Sequence, residues 1–185
     1  MAVRMAEMPR VSVMAVLPAI LAVSLLFLPF LPEEIAAETA LRTAVLAYLT
    51  IAAIDLFTKK VPNVLVYPAI AYTLSATAIV DSTALLSALL GGLAALGVMF
   101  GLALLSRGSM GMGDVKAAGL GGCIVGLPGG VIALMFGFAI GAAVSLPLLL
   151  LRLRGRRDSL PLTPFLAAGM LVYGLLVRFL LTPNL

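Results

Sequence analysis

The sequence predicts an all-α, polytopic transmembrane helix bundle. Three observations carry that prediction. Of 185 residues, 63% are hydrophobic and only 11% charged, whereas an ordinary soluble domain carries about a quarter charged residues. The mean hydropathy is +1.21, too high for a soluble fold of this size to hide its apolar surface. The apolar residues also fall in long runs, and a bilayer core of about 30 Å takes about 20 helical residues. These runs do not alternate with the period of two that a membrane β-barrel requires.

Seven apolar segments follow in order: Val11–Leu31, Ala40–Phe57, Val64–Val80, Ala84–Leu105, Val115–Leu127, Val131–Leu151 and Pro161–Leu181. The first follows Arg4 and Arg10, with the small residues Ala36-Ala37 downstream, as in a secretory signal. Its run of about 20 residues exceeds the 7–15-residue core of such a signal, which favours a retained helix. The fifth, Val115–Leu127, reaches only about 20 Å at 1.5 Å per residue. It is expected to be tilted, broken or sunk among its neighbours; merging or demoting it leaves six spans.

Charge decides between the counts. With a cytoplasmic N-terminus and seven crossings, Arg4, Arg10, Lys59, Lys60, Arg107, Lys116, Arg152, Arg154, Arg156 and Arg157 all fall inside. Only Arg42 and Arg178 fall outside, together with the acids Glu33, Glu34 and Asp81. That asymmetry is the positive-inside pattern, and six spans would spoil it for Arg152–Arg157. The formal charge of +4 therefore reads as membrane orientation and not as a nucleic-acid partner. The pairs Gly97/Gly101, Gly122/Gly126 and Gly137/Gly141 are spaced for close helix packing. Connections are short and no repeat is visible. One membrane-embedded domain over 1–185 is expected, with 11–31 an additional helix ahead of a 40–181 core.

Chemistry is bounded by what the chain lacks. It has no histidine and one cysteine, Cys123, so His-dependent catalysis, an internal disulfide and a Cys-only zinc site are excluded. No metal or cofactor is expected. Of four aspartates, Asp81 and Asp158 lie in polar connections and suit solvated roles. Asp55 lies inside an apolar run near its inner end, where an ionisable group faces the bundle or a wet cavity; an interfacial pair with Lys59, one helical turn on, is the plain alternative. Asp114 follows Gly111-Met112-Gly113. The glycines allow unusual backbone angles and close approach, and the plain alternative for Asp114 is a helix N-cap. A Gly-x-Gly pair alone is a weak signal.

The pair is stronger than either member. The charge-derived topology puts Asp55 at the end of one helix and Asp114 at the start of another, on one membrane face. Two facing carboxylates sharing a proton supply a general base for water and a general acid for a carbonyl. A small transporter or channel, with the acids as ion sites, and an inactive scaffold subunit are the competing readings. Depth opposes the transporter, since both acids lie near one face and no inverted repeat is visible.

Asp55, then Pro62-Asn63, then Gly111-Met112-Gly113-Asp114-Val115-Lys116, resembles the type IV prepilin peptidase family. That family includes archaeal preflagellin peptidases and consists of GxGD-type intramembrane aspartyl proteases. Pro161-Leu162-Thr163-Pro164-Phe165-Leu166 is similar to the family's stretch before its last helix. The resemblance spans roughly Tyr48 to Tyr173. It implies that Asp55 and Asp114 are catalytic, with Gly111, Gly113, Lys116, Lys60, Pro62 and Asn63 as supporting candidates. It implies cleavage of the short basic leader of a prepilin-like or preflagellin substrate at the cytoplasmic face of the cell membrane. Larger bacterial members carry an insertion with paired cysteines and an N-methyltransferase activity. This chain has neither insertion nor pair, which implies the peptidase-only form. Pilus, flagellar and adhesion systems, and oligomeric state, are not distinguished by these residues.

Overall fold

The computed structural model describes residues 8–106, 110–151 and 161–181. Among these described residues seven α-helices follow one another: α1 (Met8–Phe27), α2 (Glu33–Thr58), α3 (Asn63–Val80), α4 (Leu85–Leu105), α5 (Met112–Val125), α6 (Gly129–Leu150) and α7 (Thr163–Leu181). A 3-10 turn, Leu28–Phe30, follows α1. No strand occurs among the described residues. Arg4, Arg107, Arg152, Arg154, Arg156, Arg157 and Asp158 lie outside them.

Helices α2, α3, α4 and α6 are long and apolar enough to cross a membrane, and shorter apolar stretches occupy Met14–Phe30 and Thr163–Val177. Leu105, Phe57, Phe30 and Phe179 are each more than three-quarters exposed, as side chains facing lipid would be. The chain is a helical membrane bundle.

The boundaries differ from the apolar segments where polar residues join a helix. α2 begins at Glu33, not Ala40, because Glu33 and Glu34 occupy its first turn, where the helix dipole favours acids. Glu38 and Arg42 then pair one turn apart. Asp81 closes the turn into α4: its Oδ1 accepts from the Thr83 hydroxyl at 2.6 Å and the Thr83 backbone N–H at 3.0 Å. These donors, the hydroxyl foremost, hold its carboxyl below the usual range.

The short fifth segment is a helix of 14 residues, about 21 Å long. It is central, touching α2, α3, α4, α6 and α7. Val115 and Ala117–Cys123 are buried, so neighbouring helices, not lipid, surround it, and it need not match the bilayer by its own length. Its composition suits that position. A methyl placed on Gly91 of α4 would lie 2.5 Å from the Gly122 carbonyl oxygen, and one on Gly130 of α6 would lie 2.9 Å from the Gly122 Cα. Backbones meet there because no side chain intervenes. α5 ends at Gly126, whose φ of 76° belongs to the left-handed region.

The other expected glycine contacts divide. Gly137 of α6 packs on the backbone of Leu166 in α7, 2.9 Å from an added methyl. Gly141 makes only ordinary contact with Phe165, and nothing lies within 4 Å of Gly97 or Gly101. The expectation of close packing at Gly97/Gly101 is therefore corrected: that side of α4 meets no described part of the chain. α1 packs on α2 and α3, tied by Ser24, whose hydroxyl lies 3.0 Å from the Tyr72 hydroxyl.

Candidate active site

The end of α2 and the starts of α3, α5 and α7 meet at one end of the bundle. Asp55 sits in the last turn of α2, Asp114 in the first turn of α5, and Thr163 opens α7. Their positions bring two carboxylates and a hydroxyl to one depth.

Asp55 is 3% exposed. Its Oδ2 is the one buried side-chain polar atom, among the described residues, without a hydrogen-bond partner. Such an atom is costly in an apolar surrounding unless something else fills the gap. No ion pair joins it to Lys59; the Lys59 backbone N–H closes on the Asp55 carbonyl at 2.7 Å instead. Lys59 takes the left-handed conformation, φ 52°, that stops the helix, and this points the chain into Pro62. The plain alternative for Asp55, an interfacial pair with Lys59, is thereby corrected.

Asp114 is not an N-cap. The cap position is Gly111, and no side chain bonds there. The Asp114 backbone N–H reaches the Gly111 carbonyl at 3.1 Å, and its carboxylate turns across to α7. The Thr163 hydroxyl donates to Asp114 Oδ1 at 2.8 Å. Thr163 also abuts Asp55, and the two carboxylates are close enough for their charges to oppose each other.

The two motif glycines have different roles. Gly111 has φ −74° and ψ 136°, an ordinary extended conformation open to any residue. The expectation of unusual backbone angles fails there. Gly113 is needed for space: a methyl on it would lie 2.7 Å from the Val61 Cβ. Its smallness lets the start of α5 press against the α2–α3 connection, and so brings Asp114 toward Asp55.

The supporting candidates separate likewise. Lys116 reaches across to α3, donating to Asn63 Oδ1 at 3.0 Å with its Nζ 5.1 Å from the Tyr67 ring centroid. It turns away from the carboxylates and ties α5 to the start of α3. Pro62 is the N-cap of α3, and its carbonyl accepts from Leu65 and Val66. Lys60 is exposed and meets Thr58 through its backbone. Thr163 was visible in sequence only within the Pro161–Leu166 stretch that resembles the family, with no role of its own. Val61 carried no polar or spacing signal, and nothing along the chain marked Tyr48, whose hydroxyl would lie 3.2 Å from a methyl on Gly121. Among the described residues no group of three or more Cys, Asp or Glu side chains forms a metal cage.

A polytopic helical bundle with an acid pair and a hydroxyl gathered at one end is the class this fold and site define. The chain belongs to the type IV leader peptidase family, whose profile matches residues 42–146. It is thus a leader-peptidase-like protease with a protein substrate. The matched segment runs from α2 into α6; it contains both aspartates and stops short of Thr163. Neither curated proteins nor solved structures yielded a match.

Proposed function

We propose that this protein is an intramembrane aspartyl endopeptidase that removes the short basic leader of prepilin-like or preflagellin proteins at the cytoplasmic membrane face. The supporting observation is the convergence of Asp55, nearly fully buried with one oxygen unpartnered, and Asp114 on Thr163. Two close acids share one proton because both cannot ionise cheaply.

The reaction follows from that pairing. One carboxylate takes a proton from water as the water oxygen bonds to the scissile carbonyl carbon. The other gives its proton to the carbonyl oxygen, and a gem-diol forms. Collapse returns a hydroxyl proton to the second carboxylate while the first protonates the departing nitrogen and the C–N bond breaks. The pair ends as it began and titrates as one unit. The side chains of this cycle are the two aspartates, which agrees with a chain that has no histidine.

Location supports the substrate class. Both acids lie at a helix end, where an apolar substrate helix in the bilayer would present the residues just outside it. Asp55→Asn and Asp114→Asn should each abolish leader removal from a prepilin-like protein while leaving the enzyme inserted, a loss of at least about a hundredfold. Normal processing by either variant would refute the pair.

A further inference from the structure

Thr163 lies 49 positions from Asp114 and is wholly inaccessible. Its hydroxyl carries a single proton, and that proton goes to Asp114 Oδ1 at 2.8 Å. A threonine opening a helix could instead have served that helix. Here the cap of α7 is formed by the Leu162 carbonyl, which accepts from Phe165 at 3.0 Å and Leu166 at 3.1 Å. The hydroxyl is left to the neighbouring helix. Thr163 is the first residue of α7, so its backbone N–H has no intrahelical partner either, and both donors sit beside the acid pair. A β-branched side chain holds χ1 stiffly, which suits an anchor.

The remaining oxygens are placed differently. Asp55 Oδ2 has no donor. Asp114 Oδ2 lies toward Gly111, where an added methyl would be 3.5 Å away. We infer that Thr163 is the positioning residue of the pair: it anchors Asp114 through Oδ1 and leaves one oxygen of each carboxylate for water and the substrate carbonyl. This inference rests on the reading of Asp55 and Asp114 as the reacting groups.

The test uses the purified full chain in lipid nanodiscs. The probe is a synthetic protein with a basic leader, a glycine, and an apolar helix of about 20 residues. Thr163→Val keeps the shape and removes the donor. It should lower kcat about 10- to 100-fold, the range expected for a lost hydrogen bond to a charged group, with KM unchanged. Thr163→Ser restores the hydroxyl and should return kcat to within a few-fold of the parent. Wild-type kcat in Thr163→Val, a loss confined to KM, or a Thr163→Ser as slow as Thr163→Val would each overturn the inference. Should Thr163→Val fail to insert, Thr163→Ala is held to the same criteria. Asp55→Asn and Asp114→Asn run alongside. If they process the probe normally, the acid-pair reading falls; if they are inactive while Thr163→Val is fully active, the role of Thr163 alone falls.

Discussion

A methyl group on Gly113 would meet the Val61 Cβ at 2.7 Å, whereas one on Gly111 would find only ordinary contact. The two glycines look alike along the chain and differ in what surrounds them. Gly113→Ala must push α5 away from the α2–α3 connection, and Asp114 moves with it. Its peptidase activity should fall by about tenfold or more, as small displacements of reacting groups do. Gly111→Ala fits the backbone as it stands, so its thermal unfolding in detergent should stay within about 0.5 kcal/mol of the parent. Equal loss of stability in both variants would contradict this division. Lys116 makes a related point. The family resemblance made it a supporting candidate, but its amine bonds Asn63 and overlies Tyr67, so its work is to hold two helices in register.

α5 is the element on which the bundle turns. It is too short to cross the bilayer on the same terms as α4 or α6, and it touches five other helices. A methyl on Gly122 would collide with the Gly91 carbonyl oxygen and lie 2.8 Å from the Ala95 Cβ, while Gly97 of α4 has nothing within 4 Å. Opposite outcomes follow from one chemical change. Gly97→Ala should stabilise the protein slightly, by about 0.5–1 kcal/mol, through the helix preference of alanine. Gly122→Ala should destabilise it by about 1–3 kcal/mol, because two backbones must separate. Unfolding of both variants in the same detergent, followed by helical circular dichroism, reads the sign directly. The helical assignment of 115–127 was legible in its apolar run. Its shortness also raised burial among neighbours as one outcome, but small residues signal closeness without saying to what, so which helices surround it was not legible.

For the molecule as a whole, the remaining question is which way it lies in the membrane. The end that carries Asp55, Asp114 and Thr163 also carries Lys59 and Lys60, and in sequence Arg107 falls between α4 and α5 and Arg152–Arg157 between α6 and α7. Connections rich in Lys and Arg are biased to the cytoplasmic side. A reporter fused within 152–157 should therefore be active on the cytoplasmic side, and one placed in the turn at Asp81–Ala84 on the outer side. The reverse result would move the acid pair to the outer face and undo the proposed encounter with a cytoplasmic leader. The class of the protein, its helices and the shared depth of the two aspartates were all legible along the chain. They depend on local sums: run length against bilayer thickness, and charge counted per connection. The role of Thr163 and the contact of Gly113 with Val61 were not legible, and came from the packed bundle, which also decided that the short fifth segment is sunk among its neighbours and not broken. Helices apolar on every side carry no stripe to show which way each one faces, so the partner of a polar group emerges only when the helices have been rotated and packed against one another.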